Sequence, residues 1–153
     1  MPKEIALSNG KGIAIVDEQD FSVLAKHSWY RQSDGYAQAA INGKNRYMHR
    51  MILCAKSGEE VDHINGNKLD NRRANIRLCN RRQNQINIGL ISTNKSGFKG
   101  VSWIKRRAKW SANISLNNHS VTLGYFDDAV LAAHAYDKAA RENFGQFAYL
   151  NFP

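Results

Sequence analysis

The sequence predicts an α+β protein of two small units, and three observations support that class. Its 153 residues suffice for one ordinary domain or two small ones. Short extended runs separated by turn residues recur along most of the chain. A long Ala-rich helical pattern follows the last three of these runs. We therefore expect small antiparallel sheets with few helices.

The first segment is predicted to be rich in β-structure. Gly12–Asp17 is a short apolar run typical of a strand. Asp20–Tyr30 carries Phe21, Leu24 and Trp29 at near-helical spacing behind an Asp, which predicts a short capped helix. Gly35–Leu53 holds two extended runs around Asn42-Gly43, and Asn-Gly is a strong signal for a tight hairpin.

The middle of the chain predicts a strand, a loop, a second strand and a short helix. Val61–His63 forms the first strand, and a turn-rich loop follows. Asn75–Cys79 alternates apolar and polar residues, as a half-buried strand does. Asn80 is predicted to cap the helix after it, with Gln83 closing a reciprocal capping pair.

The C-terminal part predicts a second unit after a polar linker at residues 91–97. Three extended runs at 98–104, 110–116 and 119–126 predict a three-stranded antiparallel sheet. Two acids open the helical pattern at 127–145 and Gly145 ends it. Apolar residues recur three and four apart along it, so one face of this helix should pack on the sheet.

The charge distribution indicates a polyanionic partner. Lys and Arg total 22 against 13 acids, a formal net charge of +9. The basic excess begins near Arg46, and residues 95–126 carry six basic residues and no acid. We expect double-stranded DNA as the partner. An anionic membrane surface is a weaker alternative, because the first 45 residues are neutral and no basic amphipathic helix is predicted.

Composition also excludes several classes of protein. No apolar run reaches the roughly 18 residues of a membrane span, and the first residues hold no apolar signal-peptide core, so we expect an intracellular protein that is not secreted. The two cysteines, Cys54 and Cys79, form no Cys-x-x-Cys pair. A zinc ribbon or finger is therefore not predicted.

Four residues of the middle segment suit one reaction, phosphodiester hydrolysis. They are Asp62, His63, Asn75 and Asn84. The reaction needs a base for water and a cation that neutralises charge on the phosphate. An imidazole can be the base, and carboxylate and amide oxygens suit Mg²⁺ or Mn²⁺ better than softer metals.

This pattern resembles the HNH (His-Asn-His) endonuclease family and its ββα-metal (His-Me finger) fold. Asp62-His63 is similar to the first motif, Asn75 stands twelve residues after His63, and Asn84 stands 21 residues after it. The resemblance implies a catalytic pair, His63 as general base and Asn75 steadying the loop or His63. It also implies that Asp62 and Asn84 hold one divalent ion. The final position is Asn rather than His, as in homing endonucleases of phages and introns.

The resemblance covers residues 1–90, with the ββα core at about 60–87, and includes "RYMHR" at Arg46–Arg50. It implies a homing-type enzyme in the cytoplasm of a bacterial or phage-infected cell. Arg81 and Arg82 are predicted phosphate contacts, because an enzyme that cuts DNA must hold its backbone. We expect His49 to pack or to contact phosphate rather than to act in catalysis.

Residues 98–153 are predicted to form a DNA-binding domain, and a stretch of about residues 95–153 resembles the ethylene-response-factor (Apetala) type of DNA-binding domain. The similar stretches are "FKGVSW", "KWSANI", "LGYFDDAVLAAHAYDKAA" and "LNFP". The resemblance implies a sheet in the major groove with a helix behind it. Ser102 stands where an Arg is usual, so no base preference carries over. The predicted DNA contacts are Lys99, Trp103, Lys105, Arg106, Arg107, Lys109, Trp110 and Asn113.

Two functions follow from these patterns. The first is a site-directed DNA endonuclease, and the alternative is a non-catalytic DNA-binding regulator with a decayed nuclease unit. Metal-dependent cleavage discriminates between them. The sequence leaves open whether the protein is a monomer or a homodimer and whether it breaks one or both strands, and no protein partner is evident.

Overall fold

A computed structural model describes residues 1–90 and 93–153 and confirms a mixed α/β protein. The chain divides into two compact units, the first unit at Met1–Asn84 and the second unit at Gln85–Pro153. The predicted linker at 91–97 starts with two residues that lie outside the described residues. Within the described ranges, no helix has the length and apolar character that crossing a membrane requires.

The first unit consists of short strands and helices in three small antiparallel sheets. Their pairings are β1 with β2, β3-β4-β5, and β6 with β7. The elements are β1 Pro2–Ala6, β2 Ile13–Asp17, α1 Glu18–Leu24, β3 Tyr30–Arg31, β4 Ala37–Ile41, β5 Lys44–Tyr47, α2 Met48–Ile52, β6 Glu60–His63, β7 Ile76–Cys79 and α3 Arg81–Ile86, which reaches past the unit boundary.

The predicted hairpin at Asn42-Gly43 is confirmed, because both residues have positive φ between β4 and β5. The second extended run does not continue to Leu53 as predicted. Residues Met48–Ile52 form α2 instead. Met48, His49 and Ile52 are all buried, and a strand would point the adjacent Met48 and His49 to opposite faces, whereas a helix turns all three toward one side. The first helix also begins earlier than predicted, at Glu18 rather than after Asp20.

One apolar core holds the first unit together and fixes the β6–β7 pair. Trp29 lies within this core and is 1% exposed. Its indole Nε1 donates to the Leu24 carbonyl at 2.8 Å. Val61 of β6 and Ile76 of β7 belong to the same core. Adjacent residues of a strand point to opposite faces, so burial of Val61 turns Asp62 to the other face of β6. Burial of Ile76 likewise fixes the position of Asn75, which directly precedes β7.

The second unit is a three-stranded antiparallel sheet with a helix on one face. Its elements are β8 Val101–Ile104, β9 Lys109–Leu116, β10 His119–Phe126 and α4 Ala129–Phe144, with 3₁₀ turns at Lys105–Arg107 and Gly145–Phe147. The central strand is β9. Asp128 caps α4 by accepting from the backbone N–H groups of Val130 and Leu131.

Small side chains bring α4 close to the sheet. Ala132, Ala133 and Ala140 of the helix are fully buried, as is Ala112 of β9. Gly100, at φ +76°, lies beneath the Tyr136 ring, and a β-carbon there would come 2.7 Å from the Asn113 carbonyl oxygen. Any larger residue at position 100 would therefore push the helix and sheet apart.

A buried carboxylate fastens the last residues to α4. Asp137 is 1% exposed and accepts from the backbone N–H groups of Asn151 and Phe152, both at 2.9 Å. The Asn151 amide oxygen then accepts from the Lys99 backbone N–H at 2.7 Å. These bonds give "LNFP" a fixed place within the second unit.

Candidate active site and nucleic-acid interface

Asp62 and His63 lie on β6, Asn84 lies on α3, and Asn75 directly precedes β7. In the register of the β6–β7 pair Asp62 faces Arg77 and His63 faces Ile76. Helix α3 follows directly, and its start is confirmed as a reciprocal cap. The Asn80 side chain accepts from the Gln83 backbone N–H and the Gln83 side chain accepts from that of Asn80, both at 2.9 Å.

Polar bonds hold the loop between β6 and β7. The Asn75 side chain is buried, donates to the Asp70 carbonyl at 2.7 Å and accepts from the Asn65 backbone N–H at 3.0 Å. The Asp70 carboxylate forms an ion pair with Arg72 at 2.6 Å, which lowers the pKa of Asp70. The Asn75 side chain is therefore bonded to the backbone of this loop at two points.

The same loop is bonded to strand β2. The Asn71 backbone N–H donates to the Ile15 carbonyl at 2.7 Å, and the Ile15 backbone N–H donates to the Leu69 carbonyl at 2.8 Å. Arg73 adds an ion pair to Asp20 at 2.8 Å. The loop is thus fixed at both its ends and its middle, which gives its side chains defined positions.

The His63 imidazole has a defined tautomer. Its Nε2 lies 3.2 Å from the Asn71 side-chain oxygen. The Asn71 amide nitrogen donates to the Leu69 carbonyl, so the oxygen is the end that faces the ring. Because an oxygen can only accept, Nε2 carries the hydrogen and Nδ1 is the nitrogen that can take up a proton.

Burial keeps His63 neutral. The residue is 4% exposed, and burial is the largest cause of its lowered pKa. The His49 ring lies edge-on at a centroid distance of 5.2 Å, and the Tyr36 ring lies at 5.6 Å. Burial also lowers the pKa of His49 to about 3, so that residue is neutral at pH 7 and packs against the His63 ring.

Asp62 and Asn84 each have a charged partner. The Asp62 carboxylate is buried and accepts from the Arg77 guanidinium at 2.6 Å. The Asn84 amide nitrogen donates to the Glu60 carboxylate at 2.6 Å. Glu60 and Asp62 stand two apart on β6, hence on one face of the strand, while His63 points to the other face.

Three residues of this site were not among the predicted ones. Asn71 orients His63, Arg77 pairs with Asp62, and Glu60 holds Asn84. Glu60 and Asp62 are two residues apart in "EVDH", so strand alternation alone could have predicted that Glu60 shares a face with Asp62. The bond from Asn71 had no such signal, because it depends on how the loop folds back.

The donor set fits a hard divalent ion. The side chains around Asp62 and Asn84 offer carboxylate and amide oxygens, which Mg²⁺ and Mn²⁺ prefer. Burial raises the pKa of the nearby Cys79 thiol to about 11, so it offers no thiolate for a softer metal. Within residues 1–90 and 93–153, no group of three or more His, Cys, Asp or Glu side chains could hold a metal.

The predicted DNA contacts of the second unit fall into two sets. Trp103 is 45% exposed, and Lys105 and Arg106 are exposed on the turn after β8. Arg107 lies over the Tyr125 ring at 4.4 Å from its centroid. These four side chains lie at the surface, where they can reach a ligand.

The remaining predicted contacts have partners within the fold. Trp110 packs partly buried against the apolar core, and Lys109 forms an ion pair with Asp127 at 2.7 Å. The Asn113 side chain bonds to Thr122 and Ser111. On α3, which belongs to neither set, Arg81 and Arg82 are exposed.

Lys99 has a structural position rather than the predicted one in a DNA contact. Its ammonium donates to the carbonyls of Ile86 and Ile88 at 2.6 and 2.5 Å and lies over the Tyr149 ring. Burial lowers its pKa to about 8. A partly buried ammonium that donates to two carbonyls stabilises the fold. Lys99 is therefore not available for the DNA contact that the sequence predicted.

The chain is similar to several known proteins. The family model described as HNH endonuclease matches residues 46–86. A protein described as an uncharacterized HNH endonuclease, from Acanthamoeba polyphaga mimivirus, is 31% identical over 151 residues, which are 95% of this chain and 78% of that protein. Protein 3.8 of Escherichia phage T7 is 34% identical over 91 residues, which are 60% of this chain and 74% of that protein.

A third relative matches a shorter part of the chain. APETALA2-like protein 2 of Oryza sativa is 40% identical over 57 residues, covering 37% of this chain and 13% of that protein. No solved structure matches. The mimivirus relative matches nearly the whole chain, and the family model spans all four predicted site residues. This chain belongs to the HNH endonuclease family.

Proposed function

We propose that this protein is a site-directed DNA endonuclease of the homing type, and that His63 is its general base. The observation that carries the proposal is the position of His63. It is a buried, neutral imidazole with Nε2 fixed by Asn71, directly beside Asp62 on the strand end. Membership of the HNH endonuclease family supports a nuclease with DNA as substrate.

The proposed reaction is hydrolysis of one phosphodiester bond. Nδ1 of His63 accepts a proton from water, the water oxygen forms a bond to phosphorus, and the bond from phosphorus to the 3′ oxygen breaks. The departing 3′ oxygen takes a proton from solvent. Asn71 keeps the imidazole in the tautomer that this step requires, and Asn75 keeps the loop that holds Asn71 in shape.

Asp62 and Asn84 would hold one Mg²⁺ or Mn²⁺ ion. Such an ion, when bound, supplies positive charge against the phosphate and the departing oxygen. The Arg77 guanidinium already contacts the same carboxylate and is a second source of positive charge.

The second unit is proposed to hold the target. We assign a nuclease domain to residues 1–90, a linker to 91–97 and an ethylene-response-factor type DNA-binding domain to 98–153. Exposed Trp103, Lys105 and Arg106, with Arg107 stacked on Tyr125, support this assignment, as does the likeness to APETALA2-like protein 2. Arg81 and Arg82 are proposed to hold phosphates near the cut.

Incubation with supercoiled plasmid tests the proposal. Nicked or linear DNA should form with Mg²⁺ or Mn²⁺ and should stop with a chelator. Nicked product alone would indicate one site acting per DNA molecule, whereas linear product at low enzyme would indicate paired action. Binding of plasmid without any metal-dependent cleavage would contradict the proposed function.

The same experiment decides on the alternative, a DNA-binding regulator without nuclease activity. The ion pair of Asp62 with Arg77 at 2.6 Å favours that alternative, because the guanidinium already neutralises the proposed metal ligand. The orientation of His63 by Asn71 favours the nuclease, because a binding module has no need for a defined imidazole tautomer.

A further inference from the structure

Glu60 has a place in the site that neither the motif nor the family match assigns to it. Its carboxylate accepts from the Asn84 amide nitrogen at 2.6 Å, a short bond between partly buried groups. Glu60 stands on β6 and Asn84 on α3, 24 residues later. The bond therefore joins two of the elements that build the site.

The bond from Asn84 to Glu60 decides which end of the Asn84 amide is available to a cation. The two ends of an Asn side chain are opposite in character, since the oxygen accepts and the nitrogen donates. A metal ion can use only the oxygen. A carboxylate is acceptor-only, so Glu60 can bind only the nitrogen end of Asn84 and thereby leaves the oxygen end turned away from itself.

Strand alternation places this bond on the face where a cation would bind. Glu60 and Asp62 lie two residues apart on β6 and share a face, whereas His63 lies on the other. Across the strand pair, Glu60 is opposite Cys79 and Asp62 is opposite Arg77. The Asn84 side chain thus reaches the face that carries the Asp62 carboxylate.

We propose that Glu60 is a positioning residue that fixes the Asn84 amide with its oxygen available to the divalent ion. This inference rests on the proposed metal-dependent nuclease. Glu60 acts through Asn84 and does not itself bind the ion. Partners that orient metal ligands in this way change metal affinity by about tenfold to a hundredfold when they are removed.

Binding of Mn²⁺, measured by titration calorimetry on the full chain, tests the inference without relying on cleavage. Glu60→Ala should weaken binding at least about tenfold. Glu60→Gln should weaken it only about twofold. The Gln oxygen can still accept from Asn84, and a second orientation that hides the Asn84 oxygen would halve the competent fraction.

Glu59→Ala is the matched control. It removes one negative charge from the neighbouring residue, whose carboxylate accepts from the Lys56 backbone N–H rather than from Asn84. It should leave Mn²⁺ binding within about twofold of the unchanged protein. If Glu60→Ala does not fold, Glu60→Met keeps the length of the side chain without the acceptor and takes its place.

The outcomes separate the inference from the proposed function. If the unchanged protein binds Mn²⁺ and cleaves plasmid while Glu60→Ala and Glu60→Met bind Mn²⁺ equally well, the positioning role is wrong and the nuclease stands. If Glu60→Gln loses as much affinity as Glu60→Ala, the carboxylate charge acts directly and the positioning role is again wrong. If the unchanged protein neither binds Mn²⁺ nor cleaves, both proposals fall together.

Discussion

Buried polar side chains hold the candidate site of the first unit, whereas the basic surface of the second unit lies on a sheet backed by small apolar residues. Asp62, His63 and Asn75 are each under 8% exposed and each bonds to another polar group. Trp103 and Arg106 lie at the surface, and Ala132 and Ala133 of α4 are fully buried in the core of the same unit. Orientation therefore matters most in the first unit, and charge and close packing in the second.

Loss of the proposed base should have the largest effect. His63→Ala should lower the plasmid nicking rate by about a thousandfold, since a positioned general base contributes roughly two to four powers of ten. Single-turnover cleavage measures this, with plasmid binding and circular dichroism as controls. Undiminished cleavage by a folded, DNA-binding variant would remove His63 from the mechanism.

The close packing of the second unit can be broken at Gly100. Gly100→Ala should destabilise the protein by about 3 kcal/mol, because the added methyl meets the Tyr136 ring and the backbone has positive φ. Gly97→Ala is the control, with positive φ but nothing within 4 Å, and should cost only about 1 kcal/mol.

Hydrogen exchange of the β8 and β9 amides, followed by mass spectrometry, measures this difference directly. Gly100→Ala should speed exchange there far more than Gly97→Ala does. Equal exchange in the two variants would mean that helix α4 has room to move away from the sheet without loss.

Replacement of Asn71 tests whether the orientation of His63 in the first unit matters for cleavage. Asn71→Leu keeps the size of this fully buried side chain but removes the acceptor for His63 Nε2. Cleavage should fall by roughly tenfold to a hundredfold, as when the orienting partner of a functional histidine is lost. Asn67→Leu makes the same change at an exposed position of the same loop, where the side chain accepts from the Leu69 backbone N–H.

A folded Asn71→Leu protein with full activity would show that packing against Tyr36 and His49 suffices to orient His63. Thermal melts of both loop variants separate lost orientation from lost stability. We expect Asn67→Leu to cleave within a fewfold of the unchanged protein.

The smallest expected effect concerns the surface cations of the second unit. Replacing Lys105 and Arg106 together by Ala should reduce the slope of log affinity against log salt by about 2, one unit for each lost phosphate contact. Replacement of exposed Lys138 on α4 by Ala is the control and should leave the slope unchanged. Fluorescence anisotropy with a DNA duplex at several salt concentrations measures both. Equal slopes in the two variants would place the DNA contact elsewhere.

Local sequence signals predicted the parts of this molecule that depend on near neighbours. The reciprocal cap of Asn80 and Gln83 involves residues three apart, and the Asn42-Gly43 turn involves adjacent ones. Helix α2 was missed because two of its buried residues, Met48 and Ile52, fit an extended run equally well until the core is known.

The unpredicted parts of the site depend on contacts that spacing does not encode. Asn71 meets His63 only because the loop is bonded to Ile15 of β2, far away in the chain. Lys99 carries a typical DNA-binding charge, yet its position over the Tyr149 ring, bonded to the carbonyls of Ile86 and Ile88, is a property of the folded second unit. Residue type alone could not distinguish these uses.

The register between β6 and β7 decides which side chains meet on each face of the strand pair. Asp62 and His63 are adjacent on β6 and so point to opposite faces, and burial of Val61 in the core decides which face each one takes. Deleting one residue from the loop between the strands would shift the register of β7 and turn Arg77 away from the face that carries Asp62. The length of that loop is thus as much a determinant of the site as the identity of the groups that fill it.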